Sequence, residues 1–250
     1  MCPRCKAINL PQQSNQDDSV LLSEVSDQDF RRIQIGMPSI DKVFGGGIVT
    51  TSVTLLGGNP GAGKSTLSVQ LADIIAGLSI TEKLGKTSGR EVVYVATEET
   101  APQIKNRAQR LDLNYLTKIR ILPMGSRADL GDVLMHYKPC AIFVDSMAGL
   151  VADPDAAVET TKRFKEYAEA LDAPVILVDH VTKSDDFAGL MSKQHAPDTL
   201  LTLYAPDASS EVRELTPLKN RFGLANFQVY LMMTAGGLME IEEEEDEEDE

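Results

Sequence analysis

The chain has 250 residues, of which 42% are hydrophobic and 25% charged, so its composition is that of a globular protein and not of a disordered one. Its net charge is -14, but the acidic residues 242–250 account for most of it, and the remainder carries only -5. That mild acidity does not exclude a nucleic-acid partner, because a basic groove can lie on an acidic body. The sequence has no apolar run of membrane-spanning length and no secretory leader, so we expect a cytoplasmic protein with no membrane partner.

From about residue 33 onward, apolar segments of strand length alternate with amphipathic segments of helix length. The predicted strands are residues 52–57, 91–97, 118–122, 140–145 and 174–179, with helices at 64–77, 101–111, 127–137 and 156–171. Continuous apolar strands separated by helices are typical of a parallel sheet covered on both faces. Four more strands follow without helices, at residues 200–204, 212–218, 225–232 and 238–241. We expect an α/β fold in which these four are antiparallel additions at one edge of the sheet.

Residues 58–65 match the complete phosphate-loop pattern G-x-x-x-x-G-K-[ST], between a predicted strand and a predicted helix. The glycines let backbone N–H groups surround a phosphate, Lys64 reaches the outer phosphates, and the Ser65 hydroxyl joins the shell of a magnesium ion. A glycine-rich turn without a ligand is the alternative, and the strand–loop–helix context argues against it. The predicted nucleotide-binding residues are Gly58, Asn59, Pro60, Gly61, Ala62, Gly63, Lys64, Ser65, Thr66 and Asp145.

Two further strands end in acids that suit ATP hydrolysis. Asp145 ends the apolar segment A-I-F-V-D, and we expect it to hold magnesium together with Ser65. Glu98 follows the strand Y-V-A-T, and we expect it to act as the base that positions the attacking water. The alternatives are that Asp145 caps a helix, and that Glu98 and Glu99 only favour the N-terminus of the next helix.

Four segments then give the chain a family resemblance. They are I-D-K-V-F-G-G-G-I-V before the loop, Y-V-A-T-E-E-T after it, V-D-H-V-T-K at residues 178–183, and K-N-R-F-G at residues 219–223. With them, residues 33–241 resemble the bacterial RadA/Sms branch of the RecA-like ATPases. The resemblance implies a RecA-like P-loop core that assembles as a ring, expected to be a hexamer, with ATP bound between subunits. Lys219 and Arg221 would then reach the outer phosphate of a neighbouring subunit as catalytic cations, although an ordinary surface hairpin is the alternative.

The same resemblance places a DNA-binding loop after the last core strand. We expect this loop at residues 184–199, with Lys183 and Lys193 meeting phosphates and Phe187 stacking on a base. Asp185 and Asp186 weaken that interpretation, and a merely solvated loop is the alternative.

The two ends of the chain depart from the family. Cys2 and Cys5 resemble the second half of its four-cysteine zinc ribbon, and two thiolates do not close a tetrahedral site, so zinc is not expected within one subunit. We interpret residues 1–10 as a remnant of that ribbon, with ligands from a second subunit as the alternative. Residues 11–32 are expected to be a linker, residues 33–241 the ATPase domain, and residues 242–250 a disordered acidic tail.

As a function, the resemblance implies a magnesium-dependent ATPase, stimulated by DNA, that moves on or remodels single-stranded or branched DNA. Its setting would be recombination, repair or replication, with helicase or branch-migration activity. A DnaB-type helicase motor is an alternative in the same fold. A KaiC-like regulatory ATPase, which acts on protein partners without DNA, is an alternative of another class, and a nucleotide-binding subunit without turnover would leave Glu98 dispensable.

Overall fold

The computed structural model describes residues 19–26, 30–123, 129–151, 153–179, 195–207 and 209–241. The chain divides into two compact units, residues 1–31 and residues 32–250. In the first unit, the described residues contain one 3₁₀ turn, Leu22–Glu24, with exposed side chains. In the described part of the chain, no helix has the length and apolar character needed to cross a membrane. Several predicted features lie outside the described residues: Cys2, Cys5, Lys183, Phe187, Lys193 and the acidic tail.

The described residues of the second unit form a sheet-centred α/β fold, which confirms the predicted class. Its strands are β1 (Arg32–Ile33), β2 (Ile48–Val49), β3 (Val53–Gly57), β4 (Val92–Ala96), β5 (Ile119–Pro123), β6 (Ala141–Asp145), β7 (Val175–Val178), β8 (Thr199–Tyr204), β9 (Val212–Asn220), β10 (Val229–Thr234) and β11 (Gly237–Glu240). Its helices are α1 (Pro38–Val43), α2 (Lys64–Ile80), α3 (Ala101–Arg110), α4 (Leu130–Tyr137), α5 (Met147–Leu150) and α6 (Pro154–Leu171).

Nine strands form one sheet in the order β11-β10-β9-β8-β3-β7-β6-β4-β5, and β1 and β2 form a separate antiparallel ribbon. The strands from β8 to β5 in this order are mutually parallel, whereas β9, β10 and β11 pair antiparallel. The central strands are apolar at odd and even positions because helices cover both faces. Tyr94 and Phe143 belong to a buried cluster with residues of α1, α2 and α3, whereas Val93 and Ile142 belong to a second cluster with residues of α4, α5 and α6.

The direction of β8 corrects the sequence prediction, which made it antiparallel. β8 pairs in parallel with β3, with Leu200 opposite Leu55. The backbone N–H of Asp198, just before β8, donates to the Val53 carbonyl at 2.9 Å, so the chain re-enters the sheet beside the start of β3. The direction of a strand depends on where its preceding connection ends, and the residue pattern of the strand itself does not record that.

The register of the parallel strands creates two distinct edges. Ala96 lies opposite Asp145, and Asp145 opposite Val178, so β4, β6 and β7 end together beside the end of β3 at Gly57. We call this the carboxyl edge, and the opposite side, where β3 begins at Val53, the amino edge. Segments that follow these strands therefore meet at the carboxyl edge, where α/β sheets bind ligands.

Candidate nucleotide-binding site

The phosphate loop, residues 58–63, lies between the end of β3 and the start of α2. Gly58 and Gly63 have positive φ angles of 146° and 104°. A Cβ atom at Gly58 would overlap the Leu203 carbonyl oxygen of the adjacent β8, so glycine is required there. The loop runs directly into the N-terminus of the 17-residue helix α2, which favours a negatively charged group at this point.

The Lys64 side chain is buried against this loop. Its Nζ donates to the carbonyl oxygens of Gly58 at 2.7 Å and Asn59 at 3.0 Å. Burial lowers the pKa of Lys64, and attraction to three carboxylates partly offsets that effect; they belong to Asp145, Asp179 and Glu98. A triphosphate offers this ammonium charged oxygens, which are stronger acceptors than the two carbonyls.

Asp145 is held in place at the end of β6 by a buried phenol. The Tyr94 hydroxyl donates to Asp145 Oδ2 at 2.8 Å, and both side chains are buried. Burial and the neighbouring Asp145 charge raise the pKa of Tyr94 well above its usual value, so this hydroxyl remains a hydrogen-bond donor. One carboxylate oxygen is therefore occupied, which fixes the orientation in which the other is presented.

The two acids that follow β4 have different partners. Glu98 is exposed, and its Oε1 accepts a hydrogen bond from the Ser146 hydroxyl at 2.5 Å. Thr97 fixes Ser146 in turn, because its hydroxyl donates to the Ser146 carbonyl at 2.9 Å and accepts from the Ser146 N–H at 2.5 Å. Glu99 instead pairs with Arg107 of α3 at 2.5 Å. Glu98 is thus part of the same site as Asp145 and Lys64, whereas Glu99 is held by an ion pair with α3.

Asp179 is a third acid of the site that the sequence analysis missed. It follows β7 directly, is 4% exposed, and its N–H donates to the Leu56 carbonyl of β3 at 2.9 Å. Its charge acts on Lys64. The segment P-V-I-L-V-D that leads to it has the same form as A-I-F-V-D, so the signal that identified Asp145 was present here too.

Lys219 and Arg221 do not join this site within one chain. Lys219 Nζ donates to the Pro197 carbonyl at 2.6 Å, and Arg221 pairs with the Asp198 carboxylate at 2.9 Å. Asp198 also accepts from the Val53 N–H at 2.9 Å, which places it beside the first residue of β3. The phosphate loop follows the last residue of β3, about 13 Å away along the strand. Both cations therefore lie at the amino edge, across the sheet from the phosphate loop of their own subunit.

The donor set fits magnesium. Ser65 and Thr66 lie half-buried in the first turn of α2, and Asp145 presents a carboxylate oxygen, so the donors are hard oxygen ligands. The described residues contain no cluster of three or more His, Cys, Asp or Glu side chains that could hold a metal. Magnesium at nucleotide sites does not need one, because one or two protein oxygens, phosphates and water complete its shell.

The fold and the loop together define a P-loop nucleotide-binding protein with a RecA-like core. The AAA domain family matches residues 21–186, about two thirds of the chain, and the chain belongs to this family. It is similar to the DNA repair protein RadA of Haemophilus influenzae, with 35% identity over 228 residues, 88% of this chain and 47% of that protein. RadA of Salmonella typhimurium is 32% identical over 228 residues, with the same coverage of each chain.

These comparisons confirm the resemblance: the chain is a RadA-like core of the RecA family of ATPases. It spans about half the length of the RadA proteins that it matches. The structure is also similar to that of a KaiC-like protein from Pyrococcus horikoshii, with a TM-score of 0.66 and 16% identity. That match covers 84% of this chain and 98% of the other, and it supports the RecA-like fold alone.

Proposed function

We propose that this protein is a magnesium-dependent ATP hydrolase that acts as a RadA-like motor on single-stranded or branched DNA in recombination, repair or replication. The observation that carries the ATPase part is the position of Lys64. Its ammonium lies on a complete phosphate loop and is attracted by three carboxylates that end or follow adjacent strands. A glycine-rich turn without a ligand gives no reason for this convergence of charge.

The carboxyl-edge residues named from the sequence each have a chemical role in the proposal. The loop N–H groups and Lys64 bind the triphosphate, and the Ser65 hydroxyl and the free oxygen of Asp145 hold magnesium. Magnesium held by these two oxygens would supply positive charge to the outer phosphates. Glu98 accepts a proton from the attacking water, and Ser146 keeps its carboxylate on the side of Asp145.

Lys219 and Arg221 complete the site of a neighbouring subunit in the proposal. Their position at the amino edge supports this, because they lie on the far side of the sheet from their own phosphate loop. A cation at the outer phosphate stabilises the charge of the transition state and makes turnover depend on assembly. In a closed ring, for which we propose six subunits, every nucleotide site receives these two cations from its neighbour.

DNA is the proposed partner, on two grounds. The relatives named above are DNA repair proteins by name. The predicted DNA loop with Lys183, Phe187 and Lys193 begins a few residues after Asp179, whose charge acts on Lys64. A loop at that position can respond directly to the state of the outer phosphate.

The test is steady-state ATP turnover with and without magnesium and single-stranded DNA, for the wild type and for Lys64→Ala and Arg221→Ala. We expect magnesium-dependent turnover that DNA increases and that both substitutions abolish. Turnover that ignores DNA would favour the regulatory ATPase, and nucleotide binding without turnover would favour a structural subunit. Displacement of a strand from a fork, compared with migration of a three-strand junction, separates a DnaB-type helicase from a RadA-like motor.

A further inference from the structure

Arg213 occupies a position at which the strand pattern requires an apolar side chain. In β9, Arg213, Leu215 and Pro217 share the buried face, while the residues between them are partly exposed. Arg213 is 7% exposed and lies opposite the fully buried Leu231 of β10. Burying a guanidinium is unfavourable unless its N–H groups are satisfied, so this departure from the pattern requires a compensating contact.

The compensating contact is with a backbone carbonyl of the phosphate loop. Arg213 Nε donates to the Ala62 carbonyl at 2.9 Å, and its Nη1 donates to the carbonyls of Val212 at 3.0 Å and of Ser210. Among the described residues, no carboxylate forms an ion pair with Arg213. The exposed carboxylate of Asp207 is attracted to this guanidinium only weakly, as the smallest of the influences on the pKa of that carboxyl. Arg213 therefore places a buried positive charge beside the loop without a close counter-ion, and its field favours an anion at the loop.

The same segment of chain holds the other end of the loop. Asn59 Nδ2 donates to the Ala205 carbonyl, and the Ala205 N–H donates to Asn59 Oδ1, both at 3.0 Å. Ala205 follows β8, and Arg213 is the second residue of β9. The loop is thus fastened at Asn59 and at Ala62 to residues on either side of the connection between β8 and β9.

We propose that Arg213 is a positioning residue of the phosphate loop. By holding the Ala62 carbonyl, it turns that peptide so that the loop N–H groups remain directed at the phosphates, and it adds buried positive charge behind them. This inference rests on the nucleotide-binding part of the proposed function and assigns no contact between Arg213 and the nucleotide.

The test is equilibrium binding of a fluorescent ADP analogue (mant-ADP), together with thermal unfolding of the nucleotide-free protein. We expect Arg213→Met to raise the Kd about tenfold, the typical effect of losing a charge-assisted hydrogen bond and its charge. Arg213→Lys keeps the charge but not the planar fork, and we expect a rise of about threefold. Arg90→Met is the matched control, because Arg90 also donates to a carbonyl, that of Leu171 at 3.0 Å, but precedes β4 at the amino edge. Its Kd should stay within about twofold of wild type.

A purely structural role for Arg213 would lower the unfolding temperature and leave the Kd of the folded protein unchanged. Wild-type affinity in Arg213→Met therefore overturns the inference and leaves the proposed function standing. If Arg213→Met does not fold, Arg213→Lys decides, and wild-type affinity there overturns the inference as well. Failure of the wild type to bind mant-ADP overturns the proposed nucleotide site itself.

Discussion

The charged groups at the two edges of the central sheet differ in what they contact. At the carboxyl edge, Asp145, Asp179 and Glu98 converge on Lys64, whose hydrogen bonds go to loop carbonyls that a phosphate can replace. At the amino edge, the Asp198 side chain is 2% exposed and pairs with both Lys165 and Arg221. The first group surrounds a lysine on the phosphate loop, whereas in the second group the cations share one buried carboxylate of their own subunit.

This difference explains why one copy of the chain holds only half of the proposed catalytic machinery. Arg221 keeps 52% of its side chain exposed although Asp198 is buried, so the guanidinium spans from the interior to the surface. Arg221 contacts Asp198 through Nη1, so other N–H groups of its guanidinium can meet a phosphate while that contact stays. The amino edge can therefore offer a cation to a neighbour at little energetic cost, while Asp198 keeps the turn that carries it in place.

The largest expected effect comes from breaking this division between subunits. Arg221→Ala should lower ATP turnover about 10³-fold, because a finger cation stabilises transition-state charge, and Lys64→Ala should be inactive as well. Random mixing of the two inactive variants creates intact sites at about a quarter of the interfaces, so about a quarter of wild-type turnover should return. A mixture that assembles into shared oligomers and stays inactive would place Arg221 outside the neighbour's site.

A second substitution tests the contrast between the two acids after β4. Glu98→Gln should lower turnover about 10²-fold with nucleotide affinity retained, because it removes the proposed base and not a phosphate contact. Glu99→Gln is the matched control: it weakens the pair with Arg107, and turnover should stay within about threefold. Equal losses of turnover in the two variants would show that Glu98 and Glu99 both act by supporting α3, and that Glu98 does not act on the attacking water.

Local patterns in the sequence were sufficient for most of the carboxyl edge. The strand–helix alternation predicted β3, β4, β5, β6 and β7 to within one or two residues, because each of these strands is mainly apolar. Lys64 and Ser65 could be named from the complete phosphate-loop pattern, and Asp145 and Glu98 because one ends and the other closely follows a strand that the alternation identifies. Asp179 also follows an apolar strand, but the sequence analysis did not name it as a site residue.

The amino edge could not be predicted in this way. Asp198 lies in the sequence within the expected DNA loop, and its role depends on Lys165 and Val53, which are 33 and 145 residues away. No local pattern records such contacts. Arg213 did leave a trace, because it interrupts the alternation of an apolar strand face, but its partner Ala62 is 151 residues distant.

A third prediction measures how firmly the amino edge is held. Asp198→Asn should lower the free energy of unfolding by about 2–3 kcal/mol, because it removes the buried charge that two cations pair with and exchanges one of the two acceptor oxygens for an NH2 donor. Lys165→Met removes only one of those donors and should cost about 1 kcal/mol. Lys162→Met, which loses an exposed pair with Glu159, is the control and should stay within about 0.5 kcal/mol in urea denaturation. An Asp198→Asn protein as stable as this control would contradict the anchoring role.

The smallest effect concerns Cys140, which immediately precedes β6 at the amino edge and is fully buried. Burial raises the pKa of its thiol from 9.0 to about 11. The unfolded chain therefore loses this proton first as the pH rises, and stability falls from about pH 9 onward, by about 1.4 kcal/mol at pH 10. Tyrosine and lysine side chains of an unfolded chain ionise in the same pH range, so the quantity to measure is the difference in unfolding free energy between wild type and Cys140→Ala. That difference should be constant up to about pH 8.5 and then decrease as the wild type loses stability. If this difference in unfolding free energy stays constant to pH 10.5, solvent reaches the Cys140 thiol in the folded protein. The amino edge would then not be closed to solvent, and the contrast with the carboxyl edge would fail.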